Sequence, residues 1–153
     1  MDVIDRLEET PNRIRALIEG RSEEELSFKS ASDAFSLREN LLHLRDIDVE
    51  GYEVRIAGLL SDLLSEFPDI DGGALAVERD YNSQPVAPAL EEFAASRARS
   101  IARLRAIDPT DLERTGRIGM RAFTLELLLL EWTRHDSEHL AEMTHVANLL
   151  ATG

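Results

Sequence analysis

Apolar residues recur at helical spacing along almost the whole chain, and nowhere do they alternate long enough to predict a strand. In "TPNRIRALIEG" the residues Ile14, Leu17 and Ile18 share one face. Thr10 reads there as the N-cap, Pro11 as the first helical residue and Gly20 as the stop. Val3, Ile4 and Leu7 add a turn or two before Pro11, with a kink expected at the proline. "SEEEL" (22–26) predicts a short capped turn. "SLRE" is a capping box, with Ser36 as the cap and Glu39 reaching back. From it the helical spacing continues through Leu37, Leu41, Leu44, Ile47 and Val54 to Leu64, and Pro68 ends it. This predicts a helix over residues 36–66, roughly 30 residues and about 45 Å long.

Residues 68–85 read as the main irregular connection, with "DGG" at 71–73 a turn signal only. A third helix is predicted over 86–107, carried by Leu90, Phe93, Ala94, Ala98, Ile101 and Leu104 and broken by "DPTD". Residues 112–123 form a short crossover, and Thr124 caps a last helix reaching about residue 150. The expected fold is all-α, a four-helix bundle, in one domain spanning 1–153. "LLLL" at 127–130 is apolar all round, so cover on several sides is expected there, some of it from a second subunit.

Two histidines interrupt the last apolar stripe. With His135 set at 0° and each residue advancing 100°, His139 falls at about 40°, among Leu128, Val146, Trp132 and Met143. His145 falls at about 280°, off the stripe, and reads as a surface residue. Buried imidazoles need partners, because unpaired polar groups are costly inside a protein. A carboxylate would serve, as would a divalent cation, since i,i+4 spacing aims two ring nitrogens at one point. On the second helix His43 lies at the edge of the buried stripe, near Ile47 and Val54. Three of four histidines therefore face the core from two helices that can be neighbours. Bundles build metal sites in that way, and three protein ligands leave a position open.

Charge and composition narrow the chemistry. Thirty acidic against seventeen basic residues give a net charge of −13, which opposes binding to nucleic acid or to an anionic membrane surface. No 18-residue apolar run predicts a transmembrane helix, and the acidic start is no signal peptide, so a cytoplasmic location is expected. The absence of cysteine excludes thiolate ligands and disulfides. "HDSEH" also fits H-x-x-E-H, but a zinc protease needs a further ligand downstream, and only 14 residues follow His139. A ferritin-like di-iron site needs two E-x-x-H pairs, and "EMTH" is the single copy.

"FSLRENLLHLRDIDVE" (35–50) and "LLEWTRHDSEHLAEM" (129–143) resemble the DinB-like family in order and spacing. "ERDYNSQ" and the helix after it are a weaker likeness. The resemblance covers roughly residues 10–150. It implies a four-helix bundle with a metal triad falling on His43, His135 and His139, a divalent ion (zinc or nickel) and a homodimer. It also implies metal-dependent transfer chemistry with a low-molecular-weight thiol as cosubstrate and a small-molecule substrate. Such a reaction needs no protein nucleophile. The alternative is a non-catalytic metal- or ligand-binding protein of the stress response. Asp46 and Glu50 could orient an imidazole, and Arg79 and Tyr81 could touch substrate.

Overall fold

The computed structural model describes residues 2–153. Helix α1 (Val3–Ile18) runs beside the last helix, α7 (Leu125–Thr152), and beside α6 (Val86–Leu104). The fourth rod is composite: α3 (Leu37–Asp46), a π-helical segment (Ile47–Tyr52) and α4 (Glu53–Ser61) follow one another without a break. Its α3 part packs on α6 and α7, closing the bundle. Short helices α2 (Glu23–Ser27) and α5 (Gly72–Glu78) lie in the connections. The four-helix bundle is the expected one, as are the capping box at Ser36 and Glu39 and the Thr124 cap, whose hydroxyl accepts from Leu127 N.

Thr10 is not an N-cap. Asp2 caps α1, and Pro11 sits in the helix interior. A proline there removes the hydrogen bond that would reach the carbonyl four residues back, at Leu7. That carbonyl is taken instead by Arg97 Nη1, at 2.6 Å. The tertiary structure thus supplies the partner that local chemistry withheld, and the helix continues.

The composite rod ends earlier than the apolar spacing suggests. Asp62 adopts a left-handed conformation (φ 59°) and stops α4 at Ser61, well before Pro68. Three strands also appear where none was expected: β1 (Glu66–Phe67) pairs parallel with β2 (Thr115–Ile118), which pairs antiparallel with β3 (Arg121–Thr124). Two to four residues are too few to display alternation, so the pattern was invisible. Gly119 (φ 60°) makes the hairpin turn, and Gly116 leaves room for the Phe123 ring, which a Cβ would meet at 2.8 Å. "DGG" is likewise more than a turn, because Asp71 caps α5 by accepting from Ala74 N.

The core divides in two. One apolar cluster contains Ile14, Leu41, Phe93, Leu140 and Met143, and the other Leu7, Ile56, Ile101, Leu128 and Trp132. Each long helix passes from one to the other through polar residues. Arg97, almost fully buried, holds Asp48 with two bonds of 2.9 and 3.0 Å and Asp136 with two of 2.7 and 3.0 Å. Its guanidinium also lies 4.6 Å from the Trp132 ring, and Trp132 Nε1 donates to Asp48. Thr10 donates to Asp136 at 2.6 Å. Burial alone would lower the Arg97 pKa, but the two carboxylates outweigh it and hold the guanidinium above its ordinary value. Burial also pushes Asp48 up, to about 6, against the pull of Arg97.

Candidate metal centre

The histidines occupy this polar layer. His43 projects from α3, and His135 and His139 from α7 one turn apart. One nitrogen of each ring lies within 4.8 Å of the other two. His43 Nε2 and His135 Nε2 are 3.0 Å apart. Ring centroids are 4.5 Å apart for His139 with either neighbour and 5.1 Å for His43 with His135. His145 is exposed on the far side of α7, as its helical angle predicts. Phe35 walls the cluster, with its ring 5.6 Å from that of His43 and 6.4 Å from that of His139. His139 and His135 are half-buried rather than sealed, so the cluster reaches solvent.

All three rings are neutral at ordinary pH. Burial pushes His43 down to about 4, helped by His139 and opposed by Asp46. Burial takes His135 down to about 3, with His139 and His43 adding to it. His139 is lowered by burial too, against the pull of Glu142 and Asp136. Neutral imidazoles present lone pairs, the form in which histidine ligates. The Nδ1 atoms of His43 and His135 are buried without any hydrogen-bond partner, while their Nε2 atoms face each other. In the metal-free protein one Nε2 can donate its proton to the other, and a divalent ion would take that proton's place between two lone pairs. The donor set and the spacing therefore fit a divalent ion held by three nitrogens.

Asn40 is the residue that sequence reasoning missed here. It is fully buried one turn before His43, and its Oδ1 lies 2.7 Å from His139 Nδ1. Its amide nitrogen is spent on the Ser36 carbonyl, which fixes Oδ1 as the acceptor. His139 thus carries its proton on Nδ1 and leaves Nε2 as a free lone pair. Gly72 was missed as well. A Cβ there would overlap His43 Cε1 and fall 2.7 Å from Nδ1, so the start of α5 lies directly on the imidazole.

Four other sequence expectations do not hold. Asp46 accepts from Tyr81 Oη (2.5 Å), Arg79 (2.8 Å) and Arg45 (2.9 Å), and Glu50 is bidentate to Arg79. Neither carboxylate hydrogen-bonds an imidazole. Tyr81 is wholly buried and its hydroxyl is committed to Asp46, while Arg79 is neutralised by two carboxylates, so neither is free for substrate. In a chain with so many acids, an arginine or tyrosine near the site finds an internal partner first. Asp136, directly after His135 in H-x-x-x-H, turns into the Arg97 network.

The depressed histidines make a pH prediction for metal-free protein. The unfolded chain takes protons near pH 6.5, and the folded one only near 4 for His43 and 3 for His135. Between those values the unfolded state binds more protons, so stability is full above pH 6.5 and falls as the solution is acidified. Two such groups at about 1.4 kcal/mol per unit cost on the order of 3–4 kcal/mol between pH 7 and pH 5, of which the raised Asp48, with the opposite sign, returns on the order of 1 kcal/mol. Urea unfolding at the two pH values measures it, and equal midpoints would contradict the buried, neutral state.

The DinB superfamily profile matches residues 6–143. A solved structure, YfiT from Bacillus subtilis, superimposes with a TM-score of 0.88 over 97% of this chain and 86% of that one, at 20% identity. YfiT is described as a probable metal-dependent hydrolase with an unusual four-helix bundle topology. At that identity the likeness establishes the shared fold alone. The search of curated proteins found no relative.

Proposed function

The chain belongs to the DinB superfamily, and on that premise we propose that it is a metal-dependent enzyme transferring low-molecular-weight thiols to small electrophiles. His43, His135 and His139 hold the ion, which is zinc or nickel. The observation that carries the reading is the meeting of three neutral imidazoles from two helices, one of them with its tautomer set by Asn40. When bound, the ion lowers the pKa of a coordinated thiol and presents a thiolate. The protein supplies the rest. Asn40 keeps His139 Nε2 unprotonated, Gly72 and Phe35 hold the rings in place, and the apolar clusters on either side keep bulk water from the buried flank. The chain contains no cysteine to compete for the electrophile.

Two other readings use the same centre. YfiT is named a probable metal-dependent hydrolase, so hydrolysis is one of them, and a binding protein would hold the ion without turnover. Incubation of zinc- or nickel-loaded protein with a small electrophile, with and without a thiol, separates them. Conjugation that requires both thiol and metal supports the transferase, turnover without thiol supports hydrolysis, and no turnover leaves the binding protein.

Gly72→Ala should displace the His43 ring and weaken metal binding at least about tenfold while leaving the bundle folded, as titration with a chromophoric chelator would read. Unchanged affinity would remove His43 from the centre. Leu127 and Leu130 are about half exposed on α7, and they are the surface we assign to a second copy of the chain. Sedimentation should show dimer at high micromolar concentration, and a pure monomer would count against it.

A further inference from the structure

We infer that Arg55 and Tyr52 form an anchor for a carboxylate, so that the ligand of the histidine centre carries an anionic end group. This rests on the reading of the centre given above. Arg55 is one of the most buried charged side chains, 8% exposed, yet no carboxylate lies within ion-pair distance of it among the described residues. Its one hydrogen bond inside the protein is a long one, 3.4 Å, from Nη2 to the Pro68 carbonyl. That isolation is unusual in a chain with thirty acids and seventeen bases.

The nearest acids are otherwise engaged. Glu131 is held by Arg121 at 2.6 Å, and Asp69 is turned onto the backbone nitrogen of Ile70. Desolvation accordingly lowers the Arg55 pKa, and the weaker pull of Tyr52, Asp69 and Glu131 does not offset it, the reverse of the paired Arg97. The unpaired nitrogens of Arg55 and the Tyr52 hydroxyl are not among the sealed polar atoms, so they open onto solvent although the bodies of both side chains are buried. Neither group has a carboxylate partner, and the guanidinium carbon lies 5.7 Å from the Tyr52 ring.

Their position connects them to the histidines. The Tyr52 ring is 5.7 Å from the Arg55 guanidinium carbon and 6.2 Å from the His135 ring, which puts the guanidinium within about 12 Å of His135. The segment that runs over His43 at Gly72 also carries Ile70, which packs over Gly51, and Pro68, which touches Arg55. A Cβ on Gly51 would press on Ile70 (3.3 Å) and lie in ordinary contact with Arg55 Nη1 (3.5 Å), so the guanidinium packs close to the Gly51 backbone. A buried, unpaired cation costs stability, and a ligand carboxylate would complete it with charge-assisted hydrogen bonds.

Cobalt-loaded protein provides the test, because thiolate binding to cobalt gives a charge-transfer band. The probes are 6-mercaptohexanoate and 6-mercaptohexanol, equal in length and different only in the end group. Wild type should bind the acid on the order of 10- to 100-fold more tightly. Arg55→Gln should bind the two equally, with cobalt content and affinity for the alcohol unchanged, and Arg55→Lys should recover part of the preference. Equal affinities in wild type, or a preference that survives Arg55→Gln, would overturn the anchor. Protein that takes up no cobalt, or whose spectrum answers neither thiol, fails the metal–thiol reading alone. The anchor is then read in metal-free protein, where millimolar hexanoate should raise the melting temperature of wild type and not of Arg55→Gln. The absence of that difference overturns it.

Discussion

Replacing His139 by alanine should reduce bound zinc or nickel from close to one ion per chain to under about a tenth, because two nitrogens hold a divalent ion poorly. The effect is expected to be large because no other ligand is placed to substitute. Glu142 approaches His139 from its Nδ1 side, at 3.7 Å, and not from the side of the shared point. Asn40→Leu makes a graded companion. It leaves all three imidazoles and removes the acceptor that sets the His139 tautomer, together with the donor to the Ser36 carbonyl, so affinity should fall about 10- to 100-fold. Metal analysis of purified proteins and a competitive chelator titration read the two effects. Equal metal content in wild type and His139→Ala would show that the ion, if any, lies elsewhere.

The second large effect concerns folding. Arg97→Met should cost about 3–5 kcal/mol, the penalty for breaking a buried ion pair from one side. The guanidinium serves Asp48, Asp136 and the Leu7 carbonyl at once, and methionine would leave two buried carboxylates facing each other and one orphaned carbonyl. Against a total stability of about 5–15 kcal/mol for an ordinary domain, much of the folded population is at risk. Arg97→Lys should recover little, since an ammonium cannot be bidentate to two carboxylates. Adding Asp48→Asn and Asp136→Asn to Arg97→Met should restore part of the loss by removing the uncompensated charges. Urea unfolding measures each variant, and a single mutant within about 1 kcal/mol of wild type would refute this account of the polar layer.

These two residues mark where sequence reasoning reached and where it stopped. The helical spacing, the capping boxes and the stripe angles of His43, His135 and His139 depend on residues within a turn or two of each other, and all were legible. Four long helices and their inward histidines follow from that short-range chemistry. Nothing in the sequence singles out Arg97 on the third helix, because its partners lie 39, 49 and 90 positions away. Pro11 reads as a helix start for the same reason, since nothing local announces that a distant guanidinium will take the Leu7 carbonyl. The two- to four-residue strands and the seven-residue α5 fall below the length at which periodicity can be seen.

What the sequence determined by itself, then, is the bundle and the inward aim of three imidazoles, because side-chain direction on a helix is set by local geometry. Only the tertiary structure decided that the three nitrogens meet, that Asn40 selects the tautomer of one of them, that Asp46 and Asp136 turn to arginines instead, and that Arg55 is left without a partner. Each of these is a choice among donors and acceptors from remote segments. Electrostatic partnership is settled by distance in space after the helices have packed, and distance along the chain carries almost no information about it.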